Sequence, residues 1–157
     1  MKKLLAIVTI SFVLAFSVNA AESPITNEKA IEKLHEFFGL LDIQVYDKEN
    51  LSKIVTPDFR IFEVGNDFNL DSFDSFIDGA SETLDETKWE LSNFVVSIDN
   101  KSAHISYFNK GSFKTKQNEL IRYDWMESVY MVLDGGELKL KFLQSDLISE
   151  VTEQLGQ

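Results

Sequence analysis

The chain has 157 residues, no cysteine, and 26 acidic against 15 basic side chains, which gives a net charge of −11 with both histidines neutral. Negative charge on this scale makes nucleic acid and anionic membranes poor partners, and the lack of cysteine excludes disulfides, thiolate metal sites and a lipid-modified amino terminus. With 44% hydrophobic residues, one domain of this size can bury a core of its own.

Lys2 and Lys3 precede an apolar or small stretch from Leu4 to Val18, and Val18-Asn19-Ala20 then offers small residues at a cleavage point. This pattern predicts a secretory signal over residues 1–20, cut after Ala20, because the run is shorter than the roughly 20 residues that span a bilayer. A single domain over 21–157 is expected to remain, periplasmic or secreted. Without Lys2 and Lys3, 13 basic residues face 26 acidic ones, a charge of −13. No membrane association is expected after cleavage.

From Thr26 to about Tyr46, Ile31, Leu34, Phe38, Leu41 and Val45 recur at three- and four-residue spacing, which predicts an amphipathic helix. His35, Asp42 and Tyr46 then form a stripe beside its apolar face. Asp47 caps a short second helix carrying Leu51, Ile54 and Val55, and Thr56-Pro57 stops it. A strand follows, with Phe59, Ile61 and Glu63 on one face and Arg60, Phe62 and Val64 on the other, until Gly65-Asn66-Asp67 breaks it. Asp71 is expected to cap a third helix, whose Phe73, Phe76, Ile77 and Ala80 lie on one side.

Beyond Trp89 the period changes to two. Four runs, about 89–98, 103–115, 119–133 and 137–148, are separated by short polar or Gly-containing spacers that read as hairpin turns. An antiparallel meander preceded by helices predicts an α+β fold, with the helices covering one face of a curled sheet.

The order of elements, the run Leu51-Ser52-Lys53-Ile54-Val55-Thr56-Pro57-Asp58-Phe59 leading into Glu63-Val64-Gly65, and the stretch from Val129 to Leu140 around Asp134-Gly135-Gly136 together resemble the nuclear transport factor 2-like superfamily, in particular its SnoaL-like and ketosteroid isomerase-like members. The resemblance implies a cone-shaped, curved antiparallel sheet wrapped around the amino-terminal helices, with a pocket at the wide end. It also implies a choice between catalysis, as in isomerases, dehydratases and cyclases, and simple binding or dimerisation through the sheet, because the fold alone does not fix the function.

Two carboxylates stand out as candidate catalytic groups. Glu63 shares a strand face with Phe59 and Ile61, and counting from Asp58-Phe59 it falls where the resemblance places the proton-abstracting carboxylate of ketosteroid isomerases. Glu127 is the one charge on the face formed by Ile121, Tyr123, Trp125, Val129 and Met131. Burial of either would raise its pKa toward useful acid-base chemistry. As ligand-binding walls the alternation offers Phe59, Tyr123, Trp125 and Phe142, with Gln144 on the face of Leu138, Leu140 and Phe142, and Tyr46 as a hydrogen-bond donor from the first helix. Asp67, Asn69 and Asp71 alternate as calcium ligands do, but no glycine or glutamate stands at the required later positions. No metal and no motif-bound cofactor is expected. A small, largely apolar molecule is the expected partner, with a homodimer through the sheet as a second possibility.

Overall fold

The computed structural model describes residues 25–156; the expected signal segment, residues 1–20, lies outside them. Three helices precede or interrupt a six-stranded sheet: α1 (Asn27–Leu40), α2 (Lys48–Ile54), β1 (Val55–Glu63), β2 (Asn66–Asn69), α3 (Leu70–Ser81), β3 (Leu84–Ile98), β4 (Ser102–Thr115), β5 (Glu119–Asp134) and β6 (Glu137–Gln154). The strand order is β2-β1-β6-β5-β4-β3. From β3 to β6 the chain runs as the antiparallel meander that the alternation predicts. β1 joins it in parallel beside β6, and β2 folds back on β1, so the curved, unclosed sheet is mixed.

Thr26 caps α1, its hydroxyl accepting from the Lys29 N–H at 3.2 Å. The helix stops at Leu40, short of the expected Tyr46. The reason is local competition for backbone donors. Asp42 accepts from Gln44 N–H at 3.0 Å, and Thr87 Oγ1 of β3 accepts from Ile43 N–H at 3.2 Å, so the next turn has no free donors to continue the helix. Val45 therefore leaves the apolar stripe and lies 61% exposed.

Two further departures lie around the β1–β2 hairpin. Gly65 does not end the sheet; Val64 and Gly65, at φ 47° and 78°, form a two-residue turn that pairs Glu63 with Asn66 and starts β2. Positive φ at a β-branched residue is strained, so the turn is held by the pairing on either side of it. The cap of α3 is Asn69 rather than Asp71: Asn69 accepts from Ser72 N–H at 2.9 Å, and Ser72 Oγ accepts from Asn69 N–H at 3.0 Å, a reciprocal capping box. Asp71 instead pairs with Lys48 at 2.9 Å, and Asp67 pairs with Arg60. Each of the three alternating acidic or amide side chains thus has a structural job.

α1 lies across the concave face of the sheet. Its Ala30, Leu34, Phe37 and Phe38 are buried against Ile105, Val129, Met131 and Leu140. Edge-on ring contacts fix the crossing, Phe37 with Phe59 at 5.9 Å and Phe38 with Tyr107 at 6.1 Å between centroids. The convex face carries Phe62, Phe108, Met126 and Tyr130, all partly exposed.

β6 contains two extra residues relative to its neighbour. Met131 pairs with Leu140 but Tyr130 with Phe142, and Trp125 pairs with Leu147 but Asp124 with Ser149, so Lys141 and Ile148 are each left over. Every extra residue turns the rest of the strand over, because side chains alternate with period two. Past Lys141 the inward set is therefore Leu143, Ser145 and Leu147.

A carboxyl-floored aromatic cavity

Helices and sheet do not meet at the wide end of the cone, and a cavity of about 430 Å³ remains there. α1 contributes Phe37, Phe38 and Leu41, and α3 closes the opposite side with Phe73, Phe76, Ile77 and Ala80. From the strands, Trp89, Phe113, Tyr123 and Trp125 form a continuous aromatic wall. Tyr123 stacks on Trp125 at 5.0 Å, Trp89 meets Phe113 edge-on at 5.1 Å, and Phe113 meets Tyr123 at 5.6 Å. Gly111 makes room for this wall, because a Cβ there would stand 2.5 Å from Phe113 Cε2 and 2.7 Å from Trp125 Cζ3.

A row of polar side chains crosses the apolar interior at one level. Glu63 on β1 is in register with Ser145 on β6, Ser145 with Glu127 on β5, and Glu127 with Tyr107 on β4. Glu127 is 6% exposed. Its Oε1 accepts from Ser145 Oγ at 2.8 Å and its Oε2 from Asn109 Nδ2 at 3.2 Å. Burial pushes its pKa up to about 7, against the opposing pull of the polar hydrogens of Tyr107, Ser145 and Asn109 and with a small further push from the charge of Glu63. Glu63 is also raised, by burial. Tyr107, buried beside Glu127 without a well-aligned hydrogen bond, has its phenol pushed well above the ordinary value by burial and by the neighbouring carboxylate. Tyr123 is raised by burial first and then by Glu150, the third carboxylate on the cavity wall.

Among the described residues, three buried polar atoms have no hydrogen-bond partner: Trp89 Nε1, Tyr107 Oη and Asn109 Oδ1. All three belong to residues in or behind the strand wall of the cavity. Orphaned polar atoms are uncommon in protein interiors.

Of the residues singled out in the sequence, Glu63, Glu127, Tyr123 and Trp125 all line the cavity. Phe59 does not: at 1% exposure it is filled in against Phe37, deeper in the cone. Tyr46 does not either, because the early end of α1 turns it aside to donate to Asp74 Oδ1 at 3.0 Å. Phe142 and Gln144 are on the convex face, turned over by the extra residue Lys141, with Phe142 packed edge-on against Phe62 at 5.0 Å. Leu143 and Ser145 stand where those two were expected.

Trp89, Asn109, Ser145 and Glu150 were not foreseen. Asn109 was within reach of the sequence, since it is the one amide on the face shared by Ile105, Tyr107, Gly111 and Phe113. Ser145 and Glu150 follow only from the two extra residues in β6, which no pattern of alternation announces.

No protein-family model matches the sequence, and no curated protein matches it either. Solved structures do resemble the fold. A candidate aromatic ring hydroxylase from Novosphingobium aromaticivorans superposes with a TM-score of 0.71 at 12% identity, over 80% of this chain and 92% of that one. A type-2 hexachlorocyclohexane dehydrochlorinase, LinA, gives 0.69 at 12% identity over 83% and 93%. The CaMKII hub of S. rosetta gives 0.64 at 17% identity over 80% and 100%. The chain has the nuclear transport factor 2-like cone fold, as the sequence resemblance implies. Identities this low speak for the fold alone.

The raised pKa of Glu127 has a consequence for stability. A carboxyl that titrates near 7 when folded and near 4.5 when free holds its proton more firmly in the folded state. Its contribution is therefore greatest below pH 4.5 and is lost as the pH rises through about 7, by on the order of 3 kcal/mol at 1.36 kcal/mol per pH unit. Urea denaturation at pH 5 and pH 8 should show the wild type losing about that much more stability than Glu127→Gln. Parallel profiles for the two proteins would contradict the assignment.

Proposed function

We propose that this chain is an exported, small-molecule-binding domain that holds a largely apolar ligand in the cone, with Glu127 fixing one polar group of that ligand. The observation that supports this most is the combination of an aromatic cavity of about 430 Å³ with a hydrogen-bonded carboxyl group at its floor. Mostly apolar walls with a few convergent polar groups are how small-molecule sites are built. Both tryptophans of the chain, Trp89 and Trp125, line the cavity, so intrinsic fluorescence reads this site. Titration with a panel of steroids, neutral aromatics, fatty acids and aromatic amines should find at least one member that quenches it and raises the melting temperature. A ligand at about 100 times its Kd adds about 2.7 kcal/mol. A panel with no quenching and no thermal shift would sink the binding reading.

Export rests on Lys2, Lys3 and the apolar run to Val18. Protein produced in a Gram-negative host should be recovered from the periplasm with Ala21 as its first residue, by mass spectrometry. Recovery of the uncut chain in the cytoplasm would count against it.

A catalytic second reading is favoured by one specific feature, two carboxyl groups with raised pKa on one cavity. Around neutral pH such a pair supplies an acceptor and a donor, the requirement for moving a proton beside a carbonyl. Glu63 is then the general base and Glu127 the donor, as an isomerase, dehydratase or cyclase requires. The test is hydrogen–deuterium exchange at the α-carbons of 4-phenylbutan-2-one in D₂O. Glu63 as base predicts exchange faster than in buffer and at least about 100-fold slower in Glu63→Gln. Exchange at the buffer rate would leave binding as the function.

A further inference from the structure

Resting on the cavity reading above, the geometry points to an organic cation, an amine or quaternary ammonium carried on an apolar body, as the ligand class of the cone. Two properties of the wall lead there. First, its charges are all of one sign. Glu63, Glu127 and Glu150 reach the cavity from β1, β5 and β6, and among the described residues no lysine, arginine or histidine lines it. A carboxylate or phosphate ligand would face three like charges with no counter-ion, whereas a cation finds a choice of partners.

Second, the strand wall of the cavity is aromatic. Trp89, Phe113, Tyr123 and Trp125 contact one another at centroid distances of 5.0 to 5.9 Å around neighbouring strand positions. Ring faces carry negative quadrupole charge and attract cations, tryptophan most strongly, and desolvation inside a cavity strengthens the attraction. A neutral apolar molecule gains only the area that it buries there; an ammonium group gains the rings and the carboxylates together.

The titratable groups acting on Glu127 are Glu63 from β1 and Tyr107 from β4, and Tyr123 from β5 and Glu150 from β6 line the same cavity; the cavity faces of α1 and α3 are apolar. Since all of them are acidic or phenolic, the site becomes more negative as pH rises through the titration of Glu127, and cation affinity rises with it.

The test uses an isosteric pair on the full mature chain, benzyltrimethylammonium and neopentylbenzene, which differ by a nitrogen cation in place of a quaternary carbon. Tryptophan fluorescence is titrated at pH 5.5 and pH 8 in 0.15 M NaCl. The expected result is a cation Kd at least about tenfold below that of the isostere at pH 8, the advantage shrinking toward parity at pH 5.5, as a charge pair near aromatic rings in a dry site predicts. Glu127→Gln should weaken the cation and leave the isostere unchanged; Glu150→Gln, closer to the cavity mouth, gives a second measurement should the first variant fold poorly. An isostere that binds as tightly as the cation at pH 8 overturns the cation assignment while the cavity reading survives. If neither compound quenches, the cation assignment is overturned, and a silent wider panel then removes the cavity reading with it.

Discussion

A carboxyl group at the bottom of an apolar cone must find its hydrogen bonds in the walls, and much of the wide end of this fold is arranged around that need. Glu127 takes Ser145 from one neighbouring strand and Asn109 from the other, which ties β4, β5 and β6 together at one level. Both donors depend on register. A slip of one residue in β4 or β6 would point them at solvent and leave the carboxyl unsatisfied, a penalty of roughly 1–3 kcal/mol or more in a dry interior. The polar row thus specifies the pairing of three strands more sharply than their interchangeable aliphatic neighbours do.

The same row divides the interior into two regions. Toward the narrow end, Ala30 and Leu34 of α1 are buried in one core with Phe59 of β1. Toward the wide end, α1 stops at Leu40, Asp42 and Thr87 take over its last backbone donors, and α3 must lean across from the other side to close the gap. Tyr46 and Lys48 anchor that helix through Asp71 and Asp74, holding the roof over the carboxyls. The empty volume lies between α1 and α3, beyond the point where α1 ends.

The sequence made the class of fold readable, and the reasons are physical. Period-two alternation over four long runs with turn spacers leaves few architectures besides a meander covered by helices, and the inward set on β5 from Ile121 to Met131 was legible residue by residue. Glu127 stood out there as a charge among apolar neighbours. Legibility failed wherever a single backbone event reset the phase. Lys141 and Ile148 look like ordinary strand residues, yet each turns over the rest of β6, so Phe142 and Gln144 exchanged places with Leu143 and Ser145. Asp42 ended a helix whose apolar spacing ran on to Val45, because side-chain competition for backbone donors is invisible to periodicity. Asn69 capped α3 with a serine three residues on, where a glutamate is the usual signal.

Gly111 carries a final implication for the aromatic wall. The rings of Phe113 and Trp125 rest directly on the β4 main chain where a side chain is missing, and a main chain cannot swing away as a rotamer can. A wall seated on the strand itself keeps its rings in place. Any side chain larger than hydrogen at that position would push both rings off their seat, so the depth of the aromatic lining is set by one absent methyl group.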